Sequence, residues 1–180
     1  MVMNDNYEER IGTVMITQEE ILKRAAEIGE QITKDFAGEE VLVVGILKGA
    51  VLWMADVVKN IKLQCALDFM ACSSYGASTK SSGVVRILKD LDTSIEGRNV
   101  IIVEDIVDTG TTLNYLKKSL GDRGAKCVKI CSLLDKPSGR KVDLSADYVG
   151  FEVDDRFIIG YGLDYDQIYR NLPYISYLEK

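Results

Sequence analysis

The sequence predicts an α/β fold in which helices flank a twisted parallel sheet. Three largely apolar runs indicate this class: VLVVGIL at 41–47, NVIIV at 99–103 and CVKICSLL at 127–134. Strands that are covered on both faces have such β-branched segments with little alternation. Segments with helical periodicity separate the runs, and this order is typical of βαβ units. Ligands of such sheets bind at the carboxyl ends of the strands, so the chemistry is expected there.

The first predicted helix spans about 18–36. Thr17 followed by Glu20 is a capping-box pattern, and apolar residues then recur at helical spacing from Ile21 to Ile32. The helix is therefore expected to pack one face on the sheet. In chain order, the other predicted elements are strand 41–47, helix 51–61, strands 64–71, 84–88 and 99–103, helix 111–120 and strand 127–134.

Two stretches interrupt this order of strands and helices. SSYGASTKSSG at 73–83 is small and polar, and it is predicted to be a mobile loop. The tail after Pro137 is rich in Tyr and Asp, and it is predicted to be an irregular appendage on the core. Because no repeat or linker divides the chain, we expect a single domain over residues 1–180.

The composition excludes several classes of function. The chain has no histidine, which rules out Ser/His/Asp and Cys/His nucleophilic machinery. Its net charge of −6 provides no overall field that would attract nucleic acid or an anionic membrane. The four cysteines form no CxxC pair and are expected to be buried structural thiols. With no secretory signal or spanning run in the sequence, a cytoplasmic protein is expected.

The strongest chemical signal is VIIVEDIVDTGTTL at 100–113. Glu104 and Asp105 are adjacent carboxylates at the predicted end of a strand, where their repulsion calls for a cationic or hydroxylic partner. A ribose diol with bound Mg²⁺ meets that requirement. Asp108 follows three residues after Asp105, and in a chain without histidine any acid/base chemistry must rest on carboxylates, lysine, tyrosine or thiols.

TGTT at 109–112 then opens a predicted helix. Backbone N–H groups and hydroxyls at a helix N-terminus form an anion site, and Gly110 permits close backbone approach. A phosphate fits this description. From the residues alone, an ordinary acidic turn with Asp or Thr as the helix cap is an equal alternative. The segment is neither a Walker loop nor a GxGxxG fingerprint.

VEDIVDTGTTL closely resembles the phosphoribosyl-diphosphate motif of the purine phosphoribosyltransferases, in particular the hypoxanthine-guanine type. Other segments resemble further active-site segments of that family in the same order: LKGA at 47–50, SSYG at 73–76, LLDKP at 133–137 and VGFEVDDRFIIGYGLDYDQIYRNLPYI at 149–175. The resemblance covers roughly 11–175. It implies a type I phosphoribosyltransferase core at about 17–135 and a small hood from about 1–16 and 137–180.

The resemblance implies transfer of a phosphoribosyl group from 5-phosphoribosyl-1-diphosphate to a purine, with Mg²⁺ as cofactor. Glu104 and Asp105 would hold the ribose hydroxyls beside the metal, and Asp164 would be a further metal ligand. Asp108 would lie beside N7 of the purine and accept its proton while N9 attacks C1′. The residues implied to contact the phosphoribosyl diphosphate are Lys48, Gly49, Glu104, Asp105, Asp108, Thr109, Gly110, Thr111, Thr112 and Arg170.

The loop at Lys48 and Gly49 matches the pyrophosphate-binding loop of the family, in which the peptide before the lysine is often cis. Family members often have a second glycine where this chain has Ala50. This departure concerns the detailed geometry of the loop. The alternative for Lys48 is a surface lysine in a strand-to-helix turn.

The resemblance also implies a purine site. Lys136 would donate to the exocyclic O6, which favours 6-oxopurines because the amino group of adenine cannot accept from an ammonium. Phe157 would stack on the purine, and the backbone of Ile158 would meet the base edge, with Asp164 nearby. FIIGYG could instead be a buried strand. Ser74 and Tyr75 would belong to a lid that excludes water, or to a plain flexible connector.

The predicted function is therefore the synthesis of IMP, and of GMP, from the free base. One rival is a non-catalytic nucleotide-binding regulator of RNA on the same fold, which would need a basic face. Another is a phosphoribosyltransferase for xanthine, adenine or a pyrimidine. A pyrimidine or adenine enzyme would leave Lys136 and FIIGYGLDYD unexplained. Small molecules are the expected partners, without nucleic acid or membrane, and the resemblance implies a homodimer or homotetramer.

Overall fold

A computed structural model describes residues 10–74 and 85–179. Its main sheet has six strands in the order β3-β2-β1-β4-β5-β6, and β7 pairs with β8 in a second, two-stranded sheet. The helices are α1 (Gln18–Asp35), α2 (Val51–Val58) and α3 (Thr111–Asp122). The strands are β1 (Val41–Leu47), β2 (Cys65–Ser74), β3 (Val85–Lys89), β4 (Asn99–Val107), β5 (Cys127–Asp135), β6 (Tyr148–Glu152), β7 (Ile158–Ile159) and β8 (Ser176–Tyr177).

The predicted capping box begins α1. The Thr17 hydroxyl accepts from the Glu20 N–H at 3.3 Å, and the Thr17 N–H donates to the Glu20 carboxylate at 2.8 Å. These bonds satisfy two of the N–H groups that a helix start leaves free. The apolar stripe from Ile21 to Ile32 is fully buried, so the predicted packing face is confirmed.

The sheet separates two apolar cores. Along β1, Val41 and Val43 pack with α1 and α2 on one face, whereas Leu42 and Val44 pack with α3 on the other. Successive side chains of a strand point to opposite faces. Both faces of the central strands are therefore covered, which is the physical reason that their sequences are uninterrupted apolar runs.

Several predicted ends differ from the structure. The helix predicted over 51–61 ends at Val58, and the strand predicted over 64–71 continues to Ser74. The strand predicted over 99–103 continues to Val107, because β5 pairs with it as far as the Val107 and Asp135 partners. Glu104 and Asp105 therefore lie within β4 and not after it. β3 runs antiparallel to β2, so the sheet is parallel except at this edge.

The prediction of an irregular tail after Pro137 is wrong for 148–152. This segment is β6, which pairs parallel to β5 and completes the sheet. It is an edge strand with a glycine and only one buried residue, so its sequence lacks the apolar run of the central strands. Elsewhere the two ends of the chain meet: Ile11 pairs with Leu178, and Ile16 pairs with Ile175.

Within residues 10–74 and 85–179, no helix is both long enough and apolar enough to cross a membrane.

Candidate active site

A cleft of about 360 Å³ lies at the carboxyl ends of β1 and β4, beside the start of α3. This is the edge of a parallel sheet at which ligands are expected. Ten of the predicted site residues line it: Lys48, Gly49, Glu104, Asp105, Asp108, Thr109, Gly110, Thr112, Asp164 and Arg170. Cys72, which the sequence analysis did not single out, also lines the cleft.

The acidic pair forms the wall of the cleft on β4. Glu104 and Asp105 are both half-buried, and one Asp105 oxygen accepts from the Ile106 N–H at 2.7 Å. Burial, and then the neighbouring Asp105 charge, raise the pKa of Glu104 well above its usual range. The pair therefore favours a ligand that brings positive charge or hydroxyl donors.

The loop after β1 touches this pair directly. Leu47–Lys48 is a cis peptide, as the resemblance implied, and Lys48 is exposed. A Cβ on Gly49 would lie 1.6 Å from an Asp105 carboxylate oxygen, so any side chain here would displace the acid. Gly49 is thus required by close approach, whereas Ala50 is fully buried and fits as the N-cap of α2.

The TGTT turn presents the N-terminus of α3 to the cleft. Gly110 is the N-cap, in a left-handed conformation with φ of 77° that favours glycine, and it has no side chain to cap the helix. The Thr109 hydroxyl accepts from the Thr111 N–H at 3.4 Å. The other N–H groups of the first turn and the helix dipole together attract an anion. Thr109 and Thr112 line the cleft, whereas Thr111 is half-buried outside the lining.

Arg140 stabilises the TGTT turn from the segment after β5, although the sequence did not indicate this role. Its guanidinium donates to the carbonyl of Leu144 at 2.6 Å and to that of Val107 at 3.3 Å, and it pairs with Asp135. The N–H of Lys141 donates to the Thr109 carbonyl at 3.0 Å. The segment after β5 therefore fixes the turn from outside the cleft.

Lys136 and Asp108 directly follow two neighbouring strands, β5 and β4. The Lys136 N–H donates to the Val107 carbonyl at 2.9 Å, which places the start of the loop after β5 beside Asp108. The Lys136 ammonium forms an ion pair with Asp155 at 2.6 Å. Its pKa is raised, chiefly by the bond to Asp155 and also by the charge of Asp108, so it is a pure donor at neutral pH.

Phe157 and Ile158 differ from each other in exposure. Phe157 is 54% exposed and meets the Tyr165 ring edge-on, with centroids 5.5 Å apart. Ile158 is buried in β7. The alternative of a buried strand therefore holds for Ile158 and not for Phe157. Neither residue lines the cleft, nor does Lys136.

Arg170 and Asp164, which both line the cleft, form an ion pair at 2.7 Å. Arg170 also donates to the Gly162 carbonyl at 2.6 Å. Gln167, which the sequence analysis did not single out, accepts from Lys48 at 3.0 Å. The only feature of the sequence that could have indicated this contact is the position of Gln167 within LDYDQIYR, part of the segment that resembles the family.

Tyr75 of the predicted lid lies outside the described residues. Ser74 ends β2, where its backbone pairs with Val85 of β3, so residues 73 and 74 belong to a strand and not to the loop predicted over 73–83; the rest of that predicted loop lies outside the described residues.

No three Asp, Glu, Cys or His side chains converge as a metal site among residues 10–74 and 85–179. The pair at Glu104 and Asp105 nevertheless offers hard oxygen atoms of the kind that Mg²⁺ prefers. Because Mg²⁺ retains waters and binds substrate phosphates with only one or two carboxylates, this donor set fits a metal that arrives with its substrate.

A family model described as a phosphoribosyl transferase domain matches residues 14–166. The chain belongs to the phosphoribosyltransferase family. The hypoxanthine-guanine phosphoribosyltransferase of Bacillus subtilis is 54% identical to it over 169 residues, which are 94% of each chain. That of Lactococcus lactis is 47% identical over 178 residues, 99% of this chain and 97% of the relative.

Solved structures agree with this membership. A hypoxanthine phosphoribosyltransferase from Staphylococcus aureus superposes with a TM-score of 0.93 at 46% identity, covering 99% of this chain and 97% of that one. A Trypanosoma cruzi hypoxanthine phosphoribosyltransferase mutant, solved as a ternary substrates complex, gives 0.90 at 40% identity, with 95% and 97% coverage. The type I phosphoribosyltransferase fold is therefore confirmed.

Of the four cysteines predicted to be buried, Cys131 is buried, whereas Cys65, Cys72 and Cys127 are half-buried. The Cys131 and Cys72 thiols of this phosphoribosyltransferase are expected to react slowly. Burial raises the pKa of Cys131 to about 12, and burial together with Glu104 and Asp90 raises that of Cys72 to about 11. Since the thiolate is the reactive form, alkylation of Cys72 by iodoacetamide at pH 8 should be roughly 100-fold slower than that of a free cysteine. Mass spectrometric mapping over time measures this, with urea-unfolded chain as control. Alkylation of Cys72 at the unfolded rate would contradict the prediction.

Proposed function

We propose that this chain transfers the 5-phosphoribosyl group from 5-phosphoribosyl-1-diphosphate to N9 of hypoxanthine, and of guanine, giving IMP or GMP and pyrophosphate. The observation that carries the proposal is the set of groups around the cleft. A helix N-terminus with a glycine N-cap, an acidic pair on a strand, two cations and Asp108 line it, and the Lys136 N–H donates to the carbonyl of Val107, next to Asp108. These groups match the phosphate, ribose, diphosphate and base of the substrates.

The sugar-phosphate end is assigned by charge and hydrogen bonding. The 5′-phosphate would bind the N–H groups and hydroxyls of residues 109–112 at the start of α3. Glu104 and Asp105 would accept from the ribose hydroxyls. Lys48 and Arg170 would contact the diphosphate, because both are cations that line the cleft.

Asp108 would act as the general base. As the N7 proton moves to its carboxylate, N9 bonds to C1′ and the bond from C1′ to the diphosphate oxygen breaks, its electron pair leaving with pyrophosphate. A positioned base of this kind contributes about 10² to 10⁴ in rate. Lys136 would hold O6, Phe157 would stack on the base, and the backbone of Ile158 would meet its edge.

Mg²⁺ would be held by Glu104, Asp105 and Asp164 together with substrate oxygens. The ion would neutralise the diphosphate and stabilise it as a leaving group. Asp164 forms an ion pair with Arg170, so its assignment as a metal ligand requires that ion pair to rearrange. A lid containing Ser74 and Tyr75 would keep water from the positively charged sugar.

The predicted setting is a cytoplasmic homodimer or homotetramer that acts on small molecules, without nucleic acid or membrane as partner. The direct test incubates the chain with hypoxanthine, 5-phosphoribosyl-1-diphosphate and Mg²⁺, and then quantifies the products by chromatography. Equal amounts of IMP and pyrophosphate are expected, and omission of any one component should abolish both. RNA binding without nucleotide synthesis would instead support the regulatory rival.

Lys136→Gln is expected to weaken discrimination against adenine. The ammonium can only donate, whereas an amide can present either a donor or an acceptor to the 6-position of the base. The ratio of kcat/KM for hypoxanthine to that for adenine should fall by roughly 10-fold or more. The KM for 5-phosphoribosyl-1-diphosphate serves as the control and should change little. An unchanged ratio would mean that O6 is recognised by another group.

A further inference from the structure

The turn that contains Gln167 has an unusual backbone. Gln167, Asp166 and Tyr169 have φ values of 69°, 50° and 75°, a region that side-chain-bearing residues seldom adopt. Such conformations persist where surrounding contacts enforce them, and they cluster at functional sites. Here the Gln167 N–H donates to Asp164 at 2.8 Å, and Tyr165 and Ile168 exchange backbone hydrogen bonds. The conformation of Gln167 is therefore fixed by its neighbours.

The side chain of Gln167 lies between two cations. Its amide oxygen accepts from the Lys48 ammonium at 3.0 Å and from the Arg170 guanidinium at 3.4 Å. Lys48 comes from the loop after β1, and Arg170 comes from a segment 122 residues further along the chain. One neutral oxygen thus joins two parts of the cleft wall that nothing in the local sequence connects.

The neutrality of this acceptor has a consequence. Like charges that are brought together repel, and an acceptor between them stabilises their arrangement. A carboxylate would do so while cancelling one positive charge, whereas an amide cancels none. Asp164 already balances Arg170 at 2.7 Å, so the charge of Lys48 is the one that the amide preserves.

We infer that Gln167 is a positioning residue for the diphosphate. It holds Lys48 and Arg170 at a fixed spacing while the charge of Lys48 remains available, and diphosphate oxygens then take its place as acceptors. This inference rests on the proposed function, which assigns the diphosphate to these two cations. Gln167 contacts neither the purine nor Asp108 in this assignment, so its effect should be confined to the diphosphate end.

Two variants of the same length separate charge from hydrogen bonding. Gln167→Glu adds a negative charge about 3 Å from Lys48 and should raise the KM for 5-phosphoribosyl-1-diphosphate by roughly 10-fold. Gln167→Met removes the acceptor without adding charge, and a smaller, few-fold increase is expected. The KM for hypoxanthine at saturating co-substrate should stay within about two-fold in both variants. Gln18→Glu, at the exposed start of α1, is the matched control and should change neither KM.

Calorimetric titration with Mg²⁺-pyrophosphate provides a readout that does not depend on turnover. Weaker binding to Gln167→Glu than to wild type and Gln18→Glu supports the inference. Equal binding of Mg²⁺-pyrophosphate to Gln167→Glu and to wild type overturns the inference. If wild type also forms IMP, the proposed function stands. Wild type that binds pyrophosphate but forms no nucleotide contradicts the proposed function alone, and wild type that binds no pyrophosphate contradicts both. Unchanged melting temperatures establish that the variants fold.

Discussion

Asp108→Asn is expected to lower kcat by about 10² or more while leaving the affinity for 5-phosphoribosyl-1-diphosphate almost unchanged. The amide retains the size and one acceptor oxygen of the carboxylate, but it cannot take the N7 proton. The measurement is steady-state kinetics with hypoxanthine at saturating Mg²⁺, together with calorimetric affinity for 5-phosphoribosyl-1-diphosphate.

Asp122→Asn, at the exposed end of α3, is the matched control for the loss of one carboxylate and should behave as wild type. A kcat of Asp108→Asn close to the wild-type value would show that another group, or solvent, accepts the proton. A large loss of 5-phosphoribosyl-1-diphosphate affinity would instead mean that Asp108 serves chiefly to bind the sugar.

The second large expected effect concerns the Mg²⁺ dependence of 5-phosphoribosyl-1-diphosphate binding at the acidic pair. If Glu104 and Asp105 hold the ribose hydroxyls beside Mg²⁺, then 5-phosphoribosyl-1-diphosphate should bind much more tightly with Mg²⁺ than with EDTA, because the metal offsets repulsion between the phosphates and the acids. Replacing both residues (Glu104→Gln with Asp105→Asn) should abolish most of this metal dependence. Affinity in Mg²⁺ should fall by roughly 10-fold, with reduced repulsion offsetting part of the lost bonding.

The raised pKa of Glu104 adds a pH dependence to that binding. The ligand-free protein holds the proton on Glu104 to a higher pH than an ordinary glutamate does, whereas the metal complex requires the carboxylate. At pH values below this raised pKa, binding should therefore release a proton; binding should weaken as the pH falls and strengthen as it rises until Glu104 is ionised. Calorimetry in buffers of different ionisation enthalpy measures the released proton, and Glu104→Gln should eliminate it.

Glu19→Gln with Asp122→Asn removes the same two kinds of charge at exposed positions and is the control. Binding that is equally strong with Mg²⁺ and EDTA, and unchanged in the double variant at the cleft, would contradict the assignment of this strand end to the sugar and metal.

The elements with one dominant local signal were predictable from sequence. The capping-box pattern of Thr17 and Glu20 predicts the start of α1, and the apolar runs in β1, β4 and β5 predict buried strands. β6 was not predictable in this way, because Tyr148–Glu152 is stabilised at the sheet edge by pairing with β5 and carries no apolar run of its own. The extension of β4 to Val107 likewise comes from its partner strand.

The site residues likewise differ in whether their signal in the sequence is local. The residues of one contiguous motif, such as Glu104, Asp105 and Asp108, could be proposed from sequence because their spacing is local. The roles of Arg140 and Gln167 could not, because each depends on contacts with segments far along the chain. Phe157 and Lys136 lie outside the lining of the cleft, so their assignment to the purine depends on resemblance and on the proposed function.

Steady-state turnover of hypoxanthine, guanine, xanthine and adenine, each at saturating 5-phosphoribosyl-1-diphosphate and Mg²⁺, tests the central claim most directly. We expect efficient formation of IMP and GMP, with kcat/KM for adenine lower by at least roughly 100-fold, because Lys136 can only donate to the 6-position. Turnover of adenine equal to that of hypoxanthine, or absence of nucleotide from both hypoxanthine and guanine, would contradict the assignment of this cleft to 6-oxopurine phosphoribosyl transfer.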